Sequence, residues 1–207
     1  MDRTKITINL KALLSNLKYA SALAPGKKIM SVIKADGYGH GAIRVAKTLT
    51  ASNSFAVARL EEAEDLRMAG LNSPVCVLEG VSSEQDFLRA KELGLQLILH
   101  SWYQVTLYKK YGPGVPIWLK IDSGMGRLGF AIHQCLEVLK SANGLNLIGI
   151  ISHLSHADDV SSSRTEEQLQ ILSKEIVPIA KKKKLEFNLA NSAGLLGWKE
   201  SLSDWIR

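Results

Sequence analysis

Seven short apolar runs rich in β-branched residues, at 29–33, 55–58, 75–78, 95–99, 115–121, 147–151 and 187–190, alternate with longer amphipathic segments. This order constrains the fold more than any other feature, because buried strands separated by helices pair in parallel through crossover connections. Helices are expected at 60–69, 83–93 and 163–181, the last with "TEEQLQ" early and lysines late, which suits the helix dipole. The strands are followed by polar or glycine-containing turns: "KADGYGHG", "EGVSS", "HSW", "DSGMGRLG", "SHLSHADD" and "NSAG". A doubly wound open sheet shares this periodicity. Chemistry gathered after every strand is what a (β/α)8 barrel shows, since its site is built from loops at the strands' carboxyl ends.

The expected fold class is therefore α/β, a TIM-type (β/α)8 barrel forming one domain over residues 1–207, with no linker dividing it. The final "SDWIR" starts like an eighth strand and stops. The barrel is accordingly expected to be incomplete at strand eight, to lack the helix after it, and to remain unclosed. Open strand edges would then drive association.

Composition removes several alternatives. The chain is 46% hydrophobic and 22% charged, enough apolar material for a sizeable core in a soluble protein. Its net charge of +6 is dispersed, and the one dense run, 181–184, reads as the solvated end of a helix. Nucleic acid is not an expected partner. Cys76 and Cys135 have no ligand or framework spacing and read as buried small hydrophobes. No secretory h-region opens the chain, and no apolar stretch approaches the roughly 18 residues of a membrane span. A reduced, cytoplasmic protein without membrane contact is expected.

Lys34 ends the run "IMSVI", so its stem packs among apolar neighbours at the rim of the sheet, where burial disfavours its charged form. A lysine placed so can act as a nucleophilic amine toward a carbonyl, although a lysine at a strand end can also simply reach solvent. Gly37, Gly39 and Gly41 allow positive φ and close approach to a ligand phosphate, but match neither nucleotide-binding glycine spacing. Asp36 and His40 read as turn or cap residues for a helix starting near Gly41. The four tryptophans read as packing.

The octet "KADGYGHG" resembles the cofactor-lysine signature of alanine racemases, pyridoxal-phosphate enzymes that interconvert L- and D-alanine. "LKIDSGMGRLGF" at 119–130, "SHLSHAD" at 152–158, "NSAGLL" at 191–196 and "DWIR" at 204–207 resemble further segments of that family, in the family's order. The resemblance implies that Lys34 bonds the aldehyde of pyridoxal 5′-phosphate and serves as one of two acid/base groups. It implies that Tyr38, Asn191 and Ser192 reach the cofactor phosphate and that Arg127 approaches the phenolic oxygen. Lys120 would orient Arg127, a role the family often gives to a carbamylated lysine. His153 would hold Arg207, which would face the pyridine nitrogen as a cation that yields no proton, leaving the ring a weaker electron sink. His153, His156 and Asp158 also allow a metal reading, but no partner motif completes such a site, so no metal is expected. His156 departs from the family pattern and receives no role.

The family's enzymes continue into a second, mostly β domain whose tyrosine supplies the other acid/base group across a homodimer interface. Two-base racemisation needs groups on both faces of the substrate carbon, and the residues that follow the family's arginine at the phosphate are also absent from this sequence. The expectation is an alanine racemase supplying D-alanine for peptidoglycan, with this 207-residue chain a fragment or premature stop of low activity. The competing readings are a racemase acting on serine and a noncatalytic barrel that binds pyridoxal phosphate for cofactor homeostasis.

Overall fold

A computed structural model describes residues 4–207; the first three residues of the N-terminal stretch read above lie outside them. Eight parallel strands, β1 (Lys28–Val32), β2 (Ser54–Val57), β3 (Val75–Val77), β4 (Gln96–Leu99), β5 (Ile117–Lys120), β6 (Leu147–Ile151), β7 (Glu186–Ala190) and β8 (Trp205–Ile206), pair in sequence order and close into a barrel. The seven expected strands all form, within two residues of the expected ends.

Strand alternation sorts the apolar residues into two layers. Met30, Ala56, Cys76, Ile98, Trp118, Ile151 and Trp205 fill the barrel interior, while Ile29, Phe55, Val75, Leu97, Ile117 and Ile150 pack outward beneath the helices. Trp118 and Trp205 meet edge to face with ring centroids 5.7 Å apart, so two large rings plug the lower barrel. Trp118 also dictates its neighbour: a Cβ on Gly149 of β6 would lie 2.3 Å from the Trp118 ring and 2.6 Å from the Glu186 carbonyl. The β5–β6 register shifts at the same place, between Ile117 and Trp118. Cys76 and Cys135 are both buried and free.

The expected lack of closure is corrected. β8 is only two residues long, yet Lys28 and Ile29 pair with Trp205 and Ile206 on one side, and Asn188 and Ala190 pair with them on the other. Side chains reinforce this short strand. The Asp204 carboxylate accepts from Phe187 N at 2.9 Å, Trp205 Nε1 donates to Glu186 at 2.6 Å, and Lys28 forms an ion pair with Glu186. With every strand paired on both sides, the association expected from open edges loses its basis.

Among the described residues no helix follows β8, and the outer layer there is supplied from the other end of the chain. Helix α1 (Leu10–Leu23), capped by Asn9, precedes β1 and packs against α3 (Ala42–Thr48) and α10 (Ser192–Gly197), so it covers the sector where β8 meets β1. Other helices follow the expected pattern: α4 (Leu60–Met68), α5 (Glu84–Glu92), α6 (Trp102–Tyr111) and α7 (Ile132–Lys140). The single helix expected at 163–181 is two, α8 (Ser163–Glu175) and α9 (Val177–Lys183). Pro178 in the first turn of α9 explains the break, since its ring lacks an N–H and clashes with the preceding turn. Among the described residues, no helix is long and apolar enough to cross a membrane.

Candidate functional site

Parallel strands deliver the residues at their carboxyl ends to one mouth of the barrel. A cavity of about 770 Å³ opens there. Lys34 and Tyr38 line it after β1, Lys120 and Arg127 after β5, His153 after β6, Asn191 and Ser192 after β7, and Arg207 after β8. Every residue expected at a site thus reaches the same cavity.

The lysine corner is built on an unusual turn. Lys34 begins α2 (Lys34–Tyr38), whose interior is left-handed, with φ of 51° at Ala35, 52° at Asp36 and 64° at Gly37, and Tyr38 follows at 54°. Left-handed helical backbone costs about 1–2 kcal/mol per non-glycine residue. Hydrogen bonds from Gly37 N to Ile33 O (2.8 Å), Gly39 N to Ala35 O (3.0 Å) and Gly41 N to Asp36 O (2.8 Å) hold it. The Asp36 carboxylate accepts from Ala42 N at 2.8 Å at the start of α3, and His40 Nδ1 lies 3.0 Å from the carbonyls of Gly37 and Tyr38. Both therefore serve the turn. A Cβ at Gly37 would sit 3.2 Å from Ala42 N, so glycine is needed there for contact as well as for φ.

Glu62 of α4 completes this corner, and sequence reasoning gave it no role. Its carboxylate accepts from Ala35 N at 2.5 Å, Ala58 N at 2.7 Å and Arg59 N at 3.1 Å, tying the lysine turn to the loop after β2. A glutamate three residues into a helix start is the one signal that could have found it. Lys34 itself is half-buried rather than enclosed, and Tyr38 is 60% exposed with its ring 6.0 Å from Lys34 Nζ.

The arginine corner is the reverse. Arg207 N donates to Ala190 O at 2.9 Å, which fixes the backbone, and the guanidinium donates to Asn188 Oδ1 at 2.5 Å and to the Ser152 carbonyl. Its Nη2 also lies 2.8 Å from His153 Nδ1. Arginine only donates, so His153 Nδ1 is the acceptor and the ring proton sits on Nε2. Burial, together with the charges of Arg207, Lys120, Arg127 and Lys34, pushes His153 down to about 3, which keeps it neutral. Burial likewise pushes Arg207 down to about 10.

The desolvated lysine of this mouth is Lys120. Burial first, then Arg207 and Arg127, push it down to about 7, and its Nζ reaches the Ile121 carbonyl at 3.3 Å. Arg127 is exposed, at the tip of a loop that folds around Asp122. One oxygen of that carboxylate accepts from the backbone of Gly124 (2.9 Å), Met125 (2.9 Å) and Gly126 (3.1 Å). Burial raises the Asp122 carboxyl, but these bonds and Lys120 outweigh it and hold the group below its ordinary value.

Asn191 and Ser192 both line the cavity but hold their side chains differently. Asn191 caps α10, its Oδ1 accepting from Gly194 N at 2.8 Å and its Nδ2 donating to Leu154 O at 3.4 Å, so its amide is already engaged, whereas Ser192 is exposed at the lip. His156 is exposed and pairs with Ser155 Oγ at 2.8 Å. Among the described residues, no three His, Cys, Asp or Glu side chains converge as a metal site.

The family model described as "Alanine racemase, N-terminal domain" matches residues 8–207. Curated relatives include the alanine racemase of Coxiella burnetii strain CbuG_Q212, 38% identical over all of this chain and 57% of that protein. The Halorhodospira halophila alanine racemase is 39% identical over 98% of this chain and 57% of its own length. Among solved structures, the alanine racemase of Acinetobacter baumannii superimposes with a TM-score of 0.87 at 31% identity, covering 97% of this chain and 57% of that one. The Bacillus anthracis alanine racemase with bound L-Ala-P gives 0.85 at 28%, covering 96% and 54%. The chain spans a little over half the length of the relatives it matches.

Proposed function

Because the chain belongs to the alanine racemase family through the N-terminal domain of those enzymes, we propose that it is the cofactor-binding barrel of an enzyme interconverting L- and D-alanine. The observation that carries this reading is one cavity lined by both the free amine of Lys34 and the anchored guanidinium of Arg207.

The donor set fits pyridoxal 5′-phosphate. Lys34 offers an amine to an aldehyde, the Tyr38 and Ser192 hydroxyls are exposed to meet a phosphate, Arg127 offers a cation to a phenolic oxygen, and Arg207 a cation to a ring nitrogen. When bound, pyridoxal phosphate supplies the aldehyde that captures the amino group of alanine and the conjugated ring that accepts electron density as the Cα proton leaves.

The residues of this chain then have separate tasks. Lys34 tethers the cofactor, and its amine takes and returns a proton at Cα on one face. Arg207 gives a ring nitrogen a hydrogen bond but no proton, which limits electron withdrawal and favours return of the proton to Cα over side reactions. Neutral His153 supports Arg207 without adding a competing charge. Lys120, neutral in part at pH 7, can add carbon dioxide: an N–C bond forms, one proton leaves to solvent, and the resulting carbamate anion lies beside the charges of Arg127 and Arg207 that lower this lysine.

The acid/base group for the opposite face is assigned to the part of the full-length protein that this chain does not span. The same reading gives the whole protein a homodimeric assembly, a cytoplasmic location and a role in supplying D-alanine for peptidoglycan.

Turnover of L- to D-alanine, measured for this 207-residue chain beside a polypeptide of the family's full length, tests the proposal. The account expects visible cofactor absorbance from both and fast racemisation from the longer one only. Equal rates would overturn the two-group reading. Cofactor binding without turnover in either would favour the noncatalytic reading, and preference for serine would replace the substrate.

A further inference from the structure

Behind the arginine corner lies a polar network that does not face the cavity. Gln168 of α8 is 3% exposed and saturates its amide: Nε2 donates to Ser123 Oγ at 2.8 Å and His153 O at 3.0 Å, while Oε1 accepts from Ser155 N at 2.9 Å and Ser155 Oγ at 3.1 Å. Both halves of the amide face backbone groups of fixed polarity, an N–H at Ser155 and a carbonyl at His153. A flipped amide would set oxygen against oxygen and nitrogen against N–H, so only one orientation is compatible.

The bonds run on in one direction. Ser152 Oγ donates to Ile121 O at 3.0 Å, so the 2.9 Å bond between Ser123 Oγ and Ser152 Oγ has Ser123 as donor, and Ser123 in turn accepts from Gln168. The Ser152 carbonyl and His153 Nδ1 both receive Arg207. A closed circuit therefore passes from Gln168 through the His153 backbone to Arg207, on to Ser152 and Ser123, and back. It joins the loops after β5 and β6 to α8 and to the residue after β8. A residue meant only to glue α8 onto the barrel could do so with an apolar side chain, whereas this one bonds His153 directly and Ser152 through Ser123, two of the three residues that receive the guanidinium.

We propose that Gln168 is a positioning residue that sets the orientation of the Arg207–His153 pair, and through it the grip on the ring-nitrogen side of the cofactor. The last clause rests on the function proposed above; the first does not.

Substitution Gln168→Glu keeps the shape and removes both donors. In the cofactor-free 207-residue chain, 15N NMR reads the result directly, through hydrogen exchange of the Arg207 guanidinium and the tautomer of His153. The wild type should show a slowly exchanging guanidinium and a single Nε2–H tautomer. The variant should exchange at least about tenfold faster, roughly the effect of one lost buried hydrogen bond to a charged group, and should mix tautomers. Affinity for pyridoxal phosphate should fall by a similar factor in the same variant. Should Gln168→Glu fail to fold, Ser123→Ala interrupts the same circuit on its serine side only, leaving the bond from Gln168 to His153 O, and should give a smaller change of the same kind. A folded variant with unchanged Arg207 exchange and unchanged His153 tautomer overturns the proposal. If the NMR changes occur but the wild-type chain binds no pyridoxal phosphate, the positioning role stands and the functional reading fails.

Discussion

The two corners of the mouth are built on opposite plans. Lys34 stands half-buried on a left-handed turn with four non-ideal residues, and among the described residues its ammonium has no salt-bridge partner. Arg207 stands directly after a barrel strand with its guanidinium bonded to Asn188, Ser152 and His153, and a second ring of bonds behind those. On the proposed function, a group that forms and breaks a covalent bond has to keep its amine free, and the strain is stored in the backbone under it. A group that must stay charged and still is locked by every neighbour.

This contrast predicts separable mutational effects. Lys34→Ala should abolish covalent retention of pyridoxal phosphate, read as complete loss of visible absorbance after gel filtration, while its thermal melt shifts little, since surface changes fall within about 0.5 kcal/mol. Arg207→Ala should damage both, because Asn188 Oδ1 and the Ser152 carbonyl would lose a charged donor; chemical denaturation should show a loss of about 2–3 kcal/mol. Arg207→Lys should not restore the wild type, since an ammonium cannot serve three separated acceptors with the same planar geometry. A melt equally sensitive to both alanine variants would break the comparison.

Acidity sharpens it further. Lys120 gives up its proton near pH 7 when folded but only near 10.5 when unfolded. Between those values the unfolded chain binds more protons, so stability should rise with pH over that window in buffers free of carbon dioxide. Lys120→Met should remove the rise, as measured by denaturation midpoints from pH 7 to 10. His153, held down to about 3, makes stability fall as pH drops below 6.5, and His153→Gln should flatten that limb. The smallest expected effect is at the strained turn. Ala35→Gly, at φ 51°, should stabilise the chain by about 1 kcal/mol, a melting shift of about 2–4 °C, while loosening the lysine.

The sequence was most legible where chemistry sits at a strand end. Lys34, His153 and Asn191 follow strands whose apolar runs are unmistakable and Lys120 ends one, so their shared mouth could be read from order alone. What lay hidden depended on distant pairings. A two-residue strand cannot announce closure, because the bonds that make it a strand belong to β1 and β7. Nothing local marks α1 as the helix covering that seam. Gly37, Gly39 and Gly41 announced positive φ, but Ala35, Asp36 and Tyr38 carry no such signal, so the left-handed run through them was invisible. Glu62 and Gln168 looked like ordinary charged and polar helix residues, and their value lies in partners 27 and 45 positions away. Pro178, by contrast, stood in plain view inside the helix that it breaks.

The central claim is that Lys34 is the one amine at this mouth left free to capture an aldehyde. Incubating the folded chain with pyridoxal phosphate, fixing the bond with borohydride and mapping the tag by peptide mass spectrometry tests it directly. The account predicts a single tag on Lys34, lost in Lys34→Ala. A tag distributed over the surface lysines or centred on Lys120, in a chain that still melts cooperatively, would contradict it.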